Sequence, residues 1–95
     1  MTTDNDNEKL NKFLSDFDEK IIPATNLAHA FYGVANGPDG YRAVYSTEKI
    51  ISQLMEQDLM DFDSAEEYMN VNLISTYQGE NAPLFIDIIP DEFWK

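Results

Sequence analysis

Leu27-Ala28-His29-Ala30-Phe31-Tyr32-Gly33-Val34-Ala35, then Asn36-Gly37-Pro38-Asp39-Gly40, then Tyr41-Arg42-Ala43-Val44-Tyr45: this consecutive run sets the fold class. Its first part mixes small and aromatic residues without helical period, its second is a dense turn signal, and its third is a strand-like run. Two strands joined by a Gly and Pro loop predict an antiparallel hairpin. Alternation puts Tyr41, Ala43 and Tyr45 on one face, with Arg42 and Val44 on the other. Neither face is purely polar, so the hairpin is suited to packing on both sides.

Upstream, Leu10, Phe13, Leu14 and Phe17 fall at steps of three, four and seven, which lines one face of a helix running from about Asn7 to Lys20. Asp4, Asp6 and Glu8 lie near its positive end and Lys20 near its negative end, as the dipole favours. Pro23 stops it, because the residue before a proline is pushed out of the helical region. The acidic residues 1–8 are expected to be a flexible lead-in to a single domain over residues 9–95.

Downstream, Ser46 or Thr47 can cap a second helix, whose Ile50, Ile51, Leu54 and Met55 repeat with helical spacing until Leu59. Asp63-Ser64-Ala65-Glu66 has capping-box character and predicts the start of a third helix, running to about Tyr77 and ending at Gly79. Leu84-Phe85-Ile86-Asp87-Ile88-Ile89, between Pro83 and Pro90, reads as a strand. The order helix, strand, strand, helix, helix, strand predicts a small α+β domain. About three helices should pack on a short antiparallel sheet of about three strands.

Composition limits the function classes. The chain has 95 residues, 18 Asp plus Glu against 6 Lys plus Arg, and a formal net charge of -12. Residues 50–94 hold no lysine or arginine but ten carboxylates. Like charges raise the free energy of a compact state, so such a surface suggests a positively charged partner and argues against nucleic acid or an anionic membrane. Cysteine is absent, which removes disulfides, thiolate chemistry and sulfur-ligated zinc. An acidic opening unlike a secretory leader, together with the lack of an apolar run near membrane-spanning length, predicts a cytoplasmic protein.

The segment Ala43-Val44-Tyr45, a helix, Ala65-Glu66-Glu67-Tyr68, Asn72 and Tyr77-Gln78-Gly79-Glu80-Asn81-Ala82-Pro83-Leu84-Phe85 resembles a family of small, mostly uncharacterised proteins of tailed bacteriophages. The family pattern is close to AVYD, a helix, then EEAxEYxxxNxxxxYxGExxPxF, and the similarity covers residues 41–89. Ser46 replaces the usual Asp after the tyrosine, and Asn81-Ala82 precede the proline where the family often has a threonine. The resemblance implies phage or prophage origin, a host-cell setting and a small mixed fold. It carries over no activity.

No catalytic signature accompanies these residues. His29, the one histidine, sits in an apolar run and reads as a core or rim residue rather than a base. Serine elbows, phosphate-cradling glycine loops and paired metal-binding histidines are missing. Asp58, Asp61, Asp63, Glu66 and Glu67 crowd within ten residues, and oxygen clusters suit calcium or magnesium. However, the central glycine and twelfth-position glutamate of an EF-hand are lacking, and helix capping explains the same acids. No cofactor or metal is expected; a carboxylate-metal enzyme is the remotest reading.

Asn72 is expected to be a buried amide bonding the loop of residues 79–83, with ligand contact as the alternative. Glu80 reads as a solvated loop carboxylate or a partner for Arg42, with a functional role as the alternative. Asp58, Asp61, Asp63, Glu66, Glu67, Asp87, Asp91 and Glu92 can imitate a row of phosphates if the third helix start and the C-terminus share a face. With Glu80 and Trp94 they are the candidate partner-binding residues. The expected function is a non-catalytic binding protein that engages a basic host partner, such as the nucleic-acid cleft of a defence nuclease or CRISPR complex. Phe93 and Trp94 suit either folding back on the core or a protein-protein or homodimer contact, which gives the alternative function.

Overall fold

The computed structural model describes residues 2–38, 40–89 and 92. The first helix, α1, spans Thr2–Phe17. It begins about five residues before the expected start, so the acidic opening residues form its first turns, where the helix dipole favours carboxylates. It ends three residues before Lys20 because the Asp18 carboxylate accepts the Lys20 N–H at 3.0 Å, an Asx turn that competes with the helix. Leu10 and Leu14 are buried, whereas Phe13 and Phe17 of the same stripe remain 51% and 47% exposed. A short 3-10 turn over Ala28–Ala30 follows; the Asn7 amide ties it to α1 by accepting the Ala28 N–H at 3.2 Å.

The hairpin forms as expected. Strands β1 (Phe31–Gly37) and β2 (Gly40–Ser46) pair antiparallel from Phe31↔Tyr45 to Gly37↔Gly40, with a bulge at Tyr32. Gly40 has φ +116°, a conformation that side chains resist. Ala43, Val44 and Tyr45 are all buried, so β2 is covered on both faces.

Ser46 caps α2 (Thr47–Gln57) by accepting the Lys49 N–H at 3.3 Å. The third helix, α3, spans Phe62–Tyr68 and is capped by Asp61 rather than Asp63, because Asp61 Oδ1 accepts the Ser64 N–H at 2.8 Å. The expected helix to Tyr77 loosens instead into a π-helical turn over Met69–Leu73 and a 3-10 turn over Ile74–Thr76. Ser75 Oγ donates to the Val71 carbonyl and Thr76 Oγ1 to the Asn72 carbonyl at 2.9 Å, the side-chain competition that bends helices. Gly79, at φ +96°, lies in the following turn rather than at the helix end.

Strand β3 (Leu84–Ile86) pairs with β2 in parallel, Val44↔Leu84 to Ser46↔Ile86, so the sheet is mixed and not antiparallel. The helical connection explains this. It leaves the end of β2 through α2 and α3 and returns to the start of β2, where Arg42 Nη1 donates to the Ala82 carbonyl at 3.4 Å and Ile22 N–H to the Asn81 carbonyl at 3.1 Å. The sheet order is β1-β2-β3. The core gathers Leu10, Leu14, Ile21, Leu27, Ala43, Tyr45, Ile50, Leu54 and Met69 from α1, the sheet and the helical connection. No helix among the described residues is long and apolar enough to cross a membrane.

Candidate acidic groove

The first turn of α2, the start of α3 and the chain just beyond β3 border one open groove of about 520 Å³. Its apolar surface comes from Ile51, Met55 and Phe62; Met55 is 39% and Phe62 52% exposed. Three carboxylates, Glu48, Glu66 and Asp87, stand around this surface, and among the described residues no Lys, Arg or His lines it. The arrangement follows from local rules. Ser46 starts α2, which puts Glu48 in the first turn; Asp61 starts α3, which puts Glu66 one turn in, on the side facing α2.

Asp87 is held from below. Thr47, a buried residue at the first position of α2, offers its hydroxyl proton to the Ile86 carbonyl at 3.1 Å and to Asp87 Oδ1. One carboxylate oxygen is thereby oriented, and Asp87 is fixed at the border of the groove. Glu48 was not singled out by sequence reasoning, and Thr47 was read only as a possible cap of α2, the role that Ser46 takes. The capping residue Ser46 was the signal that could have found Glu48, since an acid in the first turn is favoured there by the dipole.

The remaining candidates diverge. Asp58 caps the end of α2 and lines a separate hollow of about 230 Å³ with Leu27, Tyr68 and Leu73. Asp61 is committed to its cap, and the Ser64 backbone N–H and side chain hold its carboxyl below the ordinary carboxylate value. Asp63, Glu80 and Glu92 are exposed. Glu67 lines a third hollow with Met60, Ser64, Tyr68, Val71 and Asn72. The acids therefore face at least three directions rather than one row. Asp91 and Trp94 lie outside the described residues, as does Phe93.

Two expectations for neighbouring residues change. Asn72 is exposed, so it is not the buried amide that bonds the loop of residues 79–83; Ile22 and Arg42 hold that loop instead. Among the described residues Glu80 makes no ion pair with Arg42, whose guanidinium is turned to the Ala82 carbonyl. Nor do three His, Asp or Glu side chains converge in ligand geometry among the described residues.

A further cavity, about 350 Å³, offers a contrast. It is lined by Asp6, His29, Lys49 and Glu56 among others, so its charges are mixed. His29 sits exposed at its rim, and partial burial together with Lys49 lowers its pKa, which favours the neutral imidazole. Lys49 thus lines this cavity and not the acidic groove. Comparison with family models, curated proteins and solved structures gives no match for this chain.

Proposed function

We propose that this is a non-catalytic binding protein whose acidic helical end engages a basic protein partner. The observation that carries the reading is the groove between α2, α3 and the end of β3, which joins an apolar floor to three carboxylates with no cation in its lining among the described residues. A partner's lysine or arginine lays its aliphatic stem along Ile51 and Met55 and sets its head among Glu48, Glu66 and Asp87. A guanidinium can also lie over the Phe62 ring. Asp58, Asp63, Glu67 and Glu80 add to the negative field around the docking end, which raises the association rate.

The resemblance to tailed-phage proteins supplies the setting. The partner class it suits is a nucleic-acid-binding protein of host defence, a restriction or CRISPR complex, whose cationic cleft accepts carboxylates in place of phosphates. Because the acids face several directions, this reading rests on cations seated in the groove and not on a duplex-like spacing of charge.

The test is capture of basic proteins from host lysate, and of an immobilised arginine-rich peptide, at low and moderate salt. Capture should fall steeply with salt. Changing Glu48→Gln, Glu66→Gln and Asp87→Asn together should weaken it roughly tenfold or more, whereas Asp58→Asn with Glu80→Gln should mainly slow association. Binding that ignores salt, or that survives the groove variant intact, would overturn the proposal.

A further inference from the structure

Charge is distributed very unequally along this chain. After Ser46 there are eleven acids against two lysines, while residues 21–38 contain no Asp, Glu, Lys or Arg at all. That neutral stretch includes the whole of β1, which is an outer strand of the sheet. Among the described residues the one backbone hydrogen bond that β1 makes outside the hairpin is from its first residue, the Phe31 N–H donating to the Ala28 carbonyl, so beyond Phe31 one row of its backbone N–H and C=O groups faces outward. Edge strands are commonly protected by lysine, proline or inward charge; the seven residues of β1 hold none of these, and its protection is limited to the bulge at Tyr32.

The flank of this edge is also apolar. Phe13 and Phe17 of α1 stand half-exposed beside the hairpin, Phe13 edge-on to Phe31 at 6.3 Å and Phe17 edge-on to Tyr41 at 4.7 Å. Tyr32 is 60% exposed at the bulge. An open backbone edge next to half-covered aromatic rings has the ingredients of strand addition, in which main-chain hydrogen bonds give affinity and neighbouring side chains add area.

We propose that the outer edge of β1 pairs antiparallel with the β1 edge of a second copy, about a two-fold axis, to join the two sheets into one. The occupant follows from charge. Two molecules at -12 repel each other over most of their surface, and the neutral edge is where their approach carries least repulsion. An antiparallel strand pair is self-complementary, as a two-fold interface requires. The acidic grooves play no part in this contact.

Sedimentation and light scattering across a concentration series test the idea. The mass should climb toward twice the 10.9 kDa of the chain, and added salt should preserve or strengthen the dimer by screening the repulsion. Tyr32→Lys with Asn36→Lys, both exposed positions, should weaken dimerisation roughly tenfold or more, because like charges then meet across the pair. A charge-matched control, Asn70→Lys with Gln78→Lys, should not. Hydrogen exchange should show β1 amides slowing on dimerisation. A monomer at millimolar concentration, equal weakening by the control, or β1 amides that exchange equally fast in both states would each overturn it. The groove variant described above should lose partner capture without a change in mass, so the two proposals fail separately.

Discussion

Two tyrosine hydroxyls perform the same task with different consequences. Tyr45 is fully buried in β2 between Phe31 and Phe85, and its hydroxyl accepts the Ala24 N–H at 3.0 Å. Tyr77 accepts the neighbouring Thr25 N–H at 2.8 Å, but Thr25 is exposed. Together they pin the segment after α1 to the sheet and to the helical connection. Tyr45→Phe leaves a buried N–H without its acceptor and should cost about 1–3 kcal/mol in chemical denaturation. Tyr77→Phe lets water take over at Thr25 and should cost well under half as much. Burial also pushes the Tyr45 phenol above its ordinary pKa. Stability from the neutral phenol is therefore whole below that ordinary value and is lost as pH rises through the folded one, so absorbance titration should find Tyr45 ionising above the ordinary tyrosine pKa. That Tyr45 would be buried was readable from its place in the hairpin. Its bond to Ala24, twenty-one residues earlier, was not, because local pattern carries no information about which loop crosses the sheet.

At the scale of elements, the sequence announced each helix and strand but misplaced several ends, and the misses share a cause. Asp61 and Asp63 both lie where a cap can form; tertiary packing of α3 against α2 decided for Asp61, since that choice buries Ala65 and Met69. Leu59 helps to set this geometry by adopting φ +56°, a left-handed conformation unusual for leucine, while 86% exposed. The third helix read as regular to Tyr77 because apolar spacing does not register Ser75 and Thr76 turning their hydroxyls onto the helix. The parallel pairing of β3 was hidden for a different reason: a six-residue apolar run fits either direction, and only the path through α2 and α3 fixes it. The capping role of Asp61 can be tested by pH. Its carboxyl is held below the ordinary value, so the contribution is present above that value and fades as pH falls through the lower folded one. Asp61→Ala should lower the melting temperature at pH 7, with the gap to the parent closing as pH falls below the ordinary carboxylate value. A gap that stays constant in acid would deny the carboxylate its part.

For the whole molecule, charge acts on folding and on binding in opposite senses. Among the described residues the only ion pair is Lys12–Asp16 at 3.3 Å, exposed on both sides and within one helix turn, so most carboxylates meet no opposite charge. The largest extent of the fold is 40 Å, comparable with the screening length of about 30 Å at 0.01 M salt. Repulsion then reaches across the entire body; at 1 M salt the length shrinks to about 3 Å and it does not. Raising sodium chloride over that range should therefore lift the melting temperature, and each kcal/mol relieved corresponds to about 4–8 °C in a domain of this size. Asp58→Asn with Asp63→Asn and Glu80→Gln should capture part of that gain at low salt and add little at high salt. Partner capture through the groove should move the other way, since the screening that relaxes the fold also removes the attraction for a cationic surface. A melting temperature that falls as salt is added would mean that attractive contacts dominate this surface, and the repulsion that directs the dimer to the neutral edge would then be absent.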